Sequence, residues 1–214
     1  MILLPLLLAA ALSAGNAEFD RTAAEGAASI TLARAKADLR AKGPAAGALK
    51  AAMLADPEVD LVLCARGGSG AEKVMRKLDW AKLRTRPDQK VLGFSNITML
   101  LNAMLKERAG HPISGPSISQ MLYAKGDTFA WLCDTVAGRP HPAAKLRALK
   151  PGAFSGLPCG GHIALVRRGI DMKWNADARG RVVFLERNPS TTVGGIRREL
   201  DAILSSGFLD GAAG

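Results

Sequence analysis

The stretch VLGFSNITMLLNAML, residues 91–105, decides how the chain is read. Val91 and Leu92 read as the end of a buried strand, and Ile97, Leu100, Leu101, Met104 and Leu105 recur at helical spacing. Only Gly93, Phe94, Ser95 and Asn96 separate the two periods. So abrupt a turn puts a serine at a helix N-terminus, beside unbonded backbone N–H groups and the positive end of the helix dipole. Two accounts fit. Ser95 or Asn96 caps the helix, or Ser95 is a nucleophile held out for chemistry, with nearby N–H groups placed to receive an oxyanion. The first half of the G-x-S-x-G elbow pattern is present, but Ile97 stands where its second glycine belongs.

Working outward, the preceding thirty residues repeat this logic. Leu61-Val62-Leu63-Cys64-Ala65 reads as a buried strand, RGGSG (66–70) as a turn tight enough to need glycine, and AEKVMRKL (71–78) as a helix with Ala71, Val74 and Leu78 on one face. Strands alternating with helices predict an α/β fold with a parallel sheet, and ligands of such sheets gather at the strands' carboxyl ends. Both special turns fall there. RGGSG lacks the spacing and the lysine of a phosphate loop, which argues against a nucleotide-binding module. Gly67 and Gly68 can instead present N–H groups to a reacting carbonyl oxygen, whereas Ser69-Gly70-Ala71-Glu72 fits a capping box.

Farther from the turn, residues 22–55 read as two Ala-rich helices broken at Gly43-Pro44, the second ending at Asp56-Pro57. The division expected is an atypical apolar N-terminus over 1–20, an α/β domain over 21–144 and a smaller domain over 145–214. In the last, RVVFLE (181–186) is a clear strand and VGGIRRELDAIL (193–204) an amphipathic helix with Val193, Ile196, Leu200 and Ile203 inward. Residues 1–17 resemble a signal peptide in length but lack the basic start, and they are too short for a comfortable membrane span. The expectation is a cytoplasmic protein without a stable membrane span, or an exported one if that segment acts as a signal.

Composition narrows the classes. The net charge of +10 is scattered, with no basic run interleaved with aromatics, so a solvated basic surface is expected rather than nucleic-acid binding. Three cysteines without a CxxC pair and three histidines without ligand spacing (His111, His141, His162) imply reduced thiols, no metal and no cofactor. Glu186 closes an apolar strand, where a carboxylate either orients a histidine or pairs in solvent with Arg187 or Arg198. His162, ahead of the apolar run IALV, reads on its own as a cap or structural histidine.

In order along the chain, ADPEVDLVLCARGGSGAEKVMRKLDW, GFSNIT, SGPSISQM, GGHIALV and VVFLERN…IRREL resemble the LD-carboxypeptidase family, which takes in murein tetrapeptide carboxypeptidases and microcin-immunity peptidases. The resemblance runs from about residue 50 to the C-terminus. It implies a Rossmann-like parallel-sheet domain followed by a smaller, β-rich and here incomplete one. It implies a Ser-Glu-His serine peptidase that removes terminal D-alanine from murein tetrapeptides in peptidoglycan recycling. By position, Ser95 would be the nucleophile and Glu186 the triad carboxylate, with Gly68 and Asn96 as backbone oxyanion donors and Gly67 and Ser69 against substrate. A homodimer is also implied.

The departures from the family pattern are Asn96 for aspartate, Ser69 for tyrosine, His162 for asparagine and Arg187 for an acid. The family's catalytic histidine follows the helix matching 193–205, and no histidine here aligns with it. A muropeptide-binding module without turnover is therefore the alternative expectation.

Overall fold

The computed structural model describes residues 54, 56–57, 59–64, 67–121, 127–140 and 147–214. The N-terminal segment and the Ala-rich pair, apart from Leu54, lie outside these residues. Three short strands, β1 (Leu61–Leu63), β2 (Lys90–Gly93) and β3 (His111–Ser114), form a parallel sheet in that order. Val62 lies beside Val91, and Leu92 beside Ile113.

Alternation along β2 builds a core on each face of this sheet. Val91, fully buried, joins Val62, Met75, Leu100 and Met104 beneath helices α1 (Ala71–Met75) and α3 (Ile97–Glu107). Leu92 points the other way, to Ile113, Met121, Leu132 and Val136, the last three from α4 (Ile118–Met121) and α5 (Thr128–Val136). Helix α2 (Trp80–Arg84) lies between α1 and β2 and is capped by Asp79, whose Oδ1 accepts from Lys82 N at 3.0 Å.

Burial in α3 is wider than its apolar stripe. Every residue from Ile97 to Met104 is buried, Met99 and Ala103 completely, while Leu105 is partly exposed. A helix buried nearly all round is enclosed by layers on more than one side. The second layer is a two-stranded parallel sheet, β4 (Pro158–His162) and β5 (Val182–Glu186), with α6 (Ile163–Asp171) between them in sequence. Leu165, Met172 and Trp174 pack on the first core, and Ile163 and Val166 meet Ile203 of α7 (Val193–Ser205) in a third cluster.

Asn102, a buried polar residue in the middle of α3, ties the layers together. Its Nδ2 donates to Gly160 O at 2.7 Å and its Oδ1 accepts from Gly160 N at 3.2 Å. One turn earlier, Thr98 Oγ1 accepts from His162 N at 3.2 Å. Gly160 has φ +122°, and a Cβ there would stand 2.0 Å from Phe184 O, so only glycine fits.

Several expectations shift. Helix α1 stops at Met75, so Met75 is buried while Leu78 packs at the core's edge. Val193, expected inward, is 83% exposed at the first position of α7, where Thr192 Oγ1 caps by accepting from Gly195 N. The C-terminal part, expected to be β-rich, holds two strands beside two long helices among its described residues. Residues after α7 return to β5: Ala213 N donates to Arg181 O, and Val183 N to Gly214 O. Among the described residues, no helix is long and apolar enough to cross a membrane.

Candidate active site

Ser95 occupies the left-handed region, with φ +59°. A residue carrying a Cβ is disfavoured there, and such strain persists where the surroundings enforce it. Here the surroundings are two close approaches. A Cβ on Gly93 would lie 2.6 Å from Ile97 Cγ2, so the first glycine of the elbow makes room for the isoleucine that replaces the second. A Cβ on Gly67 would lie 2.6 Å from Ser95 Cβ and 2.9 Å from Ser95 Oγ. The glycine turn after β1 thus runs directly against the hydroxyl at the end of β2.

Neither capping account survives. Ser95 Oγ makes no hydrogen bond among the described residues, and the first turn of α3 is closed by backbone alone, Thr98 N donating to Ser95 O at 2.9 Å. Asn96 occupies the N-cap position without bonding α3 through its side chain. Its Oδ1 instead accepts from Ala71 N at 3.1 Å, so this amide caps the neighbouring helix α1. An aspartate at 96 would offer the same oxygen, which is why the amide is a workable replacement.

The capping box expected at Ser69 is absent. The N-cap of α1 is Gly70, with φ +101° and no side chain to bond, and Ser69 is exposed. Glu72 reaches not back to residue 69 but out to Arg168 of α6, at 2.5 Å. Gly68 has φ +115° and open space around it. The N–H groups of Gly68 and Asn96 donate to no acceptor among the described residues. Asn96 follows Ser95 directly, and Gly68 follows the Gly67 that lies against the hydroxyl, so both belong to the turns where oxyanion donors would stand.

Glu186 ends β5, in register with His162 at the end of β4. The sheet thus sets the two side by side. Neither bonds the other: Glu186 Oε1 and His162 Nδ1 are both buried without a partner. Burial pushes the Glu186 carboxyl above the usual carboxylate range. The solvent pairing with Arg187 or Arg198 does not form, since Arg187 Nη1 is turned onto the carbonyls of Asn188 and Pro189.

Glu186 lines a cavity of about 680 Å³ together with Phe94, Ser114, Gln120 and Phe184. Phe94 immediately precedes Ser95, so the elbow and the carboxylate border one space. His111 also borders it, from the start of β3, and His141 lies outside the described residues. Phe94, Ser114 and Gln120 stand in the motifs GFSNIT and SGPSISQM, but nothing in the sequence alone assigns them a role at the site. Ser114 was recoverable, because it closes a parallel strand at its carboxyl end. Among the described residues, no group of His, Cys, Asp or Glu could hold a metal ion.

A strained serine with a free hydroxyl against a glycine turn, two unbonded N–H groups and an orphaned carboxylate are the kinds of group an acyl-transfer site uses. Residues 22–114 match the LD-carboxypeptidase N-terminal domain. A protein of Streptomyces coelicolor, provisionally named a carboxypeptidase, is 32% identical over 164 residues, covering 74% of this chain and 53% of its own length. A murein tetrapeptide carboxypeptidase of Pseudomonas aeruginosa is 39% identical over 61 residues, 28% of this chain and 19% of that one. The crystal structure of a muramoyltetrapeptide carboxypeptidase from Oxalobacter formigenes superposes with a TM-score of 0.67 at 24% identity, covering 80% of this chain and 60% of that one. The chain spans about half the length of the first curated relatives it matches. Residues 22–114 thus carry the N-terminal domain of the LD-carboxypeptidase family.

Proposed function

We propose that the chain carries the nucleophile, oxyanion donors and acidic triad member of a serine carboxypeptidase that removes terminal D-alanine from murein tetrapeptides, in cytoplasmic peptidoglycan recycling. The observation that carries this reading is the strained Ser95, its unbonded Oγ lying against Gly67 at the mouth of a parallel sheet.

In the reaction, Ser95 Oγ attacks the carbonyl carbon of the amide between the L-centre and D-alanine. A base takes the hydroxyl proton, and the carbonyl oxygen becomes an oxyanion facing the N–H groups of Gly68 and Asn96. Collapse of the tetrahedral adduct breaks the C–N bond, and the base returns its proton to the departing amine of D-alanine. Water then attacks the acyl ester by the same route in reverse. Glu186 Oε1, buried and unpartnered, is the acceptor an imidazole N–H needs so that the ring keeps the right tautomer and stays charged after protonation.

The assay is D-alanine release from L-Ala-γ-D-Glu-meso-diaminopimelate-D-Ala, with Ser95→Ala beside the wild type. Release is expected in the wild type and a loss of at least ~10³-fold in the variant. Release unaffected by Ser95→Ala overturns the proposal. One observation favours a second reading: no described histidine bonds Glu186, so the chain on its own would bind muropeptide without cleaving it. That reading predicts titratable peptide binding in both forms and turnover in neither.

A further inference from the structure

At the amino-terminal end of β5, far along the strand from Glu186, the ends of α3 and α6 and the turn after α7 enclose a cavity of about 590 Å³. Its walls include Arg108, Lys173, Arg179 and Arg181, with Asp177 as the acid among them. Helix C-termini attract cations, which accounts for part of this charge. The remainder is harder to assign. Arg179 is engaged with Asp177 through two contacts, at 2.8 and 2.5 Å. Arg108, Lys173 and Arg181 have no ion-pair partner among the described residues.

Two further features converge on the same walls. Arg108 and Lys173 both sit in the left-handed region, with φ +53° and +57°, where a helix end ordinarily uses glycine. The fold thus holds cationic side chains at two positions where a Cβ is disfavoured. Arg181 Nη1 is buried with no acceptor, and Asn175 Oδ1 is buried with no donor while its Nδ2 donates to Val166 O at 2.8 Å. Lys106, whose Nζ donates to Lys173 O, adds a further cation to these walls, which no carboxylate but Asp177 offsets.

We propose that this cavity is a binding site for a phosphate group, whose anionic oxygens meet Arg181, Arg108 and Lys173 and whose remaining hydroxyl donates to Asn175 Oδ1. Both free phosphate and a phosphomonoester on a larger molecule carry that chemistry. The site is separate from Ser95, so its fate does not depend on the proposed peptidase activity.

The test uses the full chain, titrated calorimetrically with inorganic phosphate and melted in phosphate or chloride at equal ionic strength. Saturable binding and a higher melting temperature in phosphate are expected. Arg108→Gly and Lys173→Gly place the residue this backbone prefers, so both variants should fold at least as well as the wild type. Each should weaken phosphate at least ~10-fold. A sugar phosphomonoester that binds tighter than inorganic phosphate identifies a carried group, and equal binding identifies free phosphate. The proposal is overturned if phosphate and chloride are indistinguishable. It is equally overturned if the double glycine variant, melting at or above the wild type, binds phosphate unchanged.

Discussion

A serine at φ +59° is strained in a way its neighbours make testable. Glycine at 95 relieves the backbone and alanine does not. Both remove the hydroxyl, so Ser95→Gly should be more stable than Ser95→Ala by about 1 kcal/mol in urea unfolding. Equal stabilities would mean the turn is not held in the left-handed region in solution. Gly67 offers a complementary experiment, because its own φ is ordinary and the space at stake is that of Ser95 Cβ and Oγ. Gly67→Ala should displace Ser95 and the turn that carries it, lowering D-alanine release by about 10²-fold and the melting temperature as well. At the third reporter, Cys159, burial pushes the thiol above its usual range. Its alkylation by iodoacetamide should therefore be slow in the folded chain and fast in urea.

At the scale of elements, α3 shows what the sequence could and could not say. Its existence and the elbow before it were legible, since apolar spacing and an abrupt change of period are local properties. The stripe was read from one side only. Met99, Ala103 and Asn102 are buried because β4 and α6 cover the opposite side, and nothing in residues 97–107 announces a partner at 158–171. The capping box at Ser69 fitted its local pattern but lost to a long-range competitor: Asn96 takes the first N–H of α1, leaving Glu72 for Arg168. Ser95 and Glu186 stood out because one follows a strand and the other ends one, whereas the cavity bordered by Phe94 and Glu186 is made by residues that only folding assembles. Asn102→Leu strips Gly160 of both its partners in a buried setting and should cost about 2–4 kcal/mol, measured by denaturant unfolding. A cost below ~1 kcal/mol would show that the two layers hold together without this bridge.

For the whole molecule, pH reports on the unpartnered carboxylate. Burial raises the folded-state value of Glu186 above that of the unfolded chain, so its ionised form opposes folding at neutral pH. That opposition fades as the pH falls through the raised value. Glu186→Gln should accordingly melt higher than the wild type at pH 7, and the two curves should converge on acidification. Parallel curves would argue that the carboxylate is solvated or paired in solution. The Asn102 clasp has a last implication, concerning how the molecule breathes. Since the amide of Gly160 is bonded to the middle of α3 rather than to its own sheet's surroundings, it can exchange with deuterium only when that helix lets go. Its protection factor should therefore match those of the central α3 amides and exceed those of α7. If so, a single opening event would separate the two-stranded sheet that ends in Glu186 from the helix that follows Ser95, and the two would never drift apart by degrees.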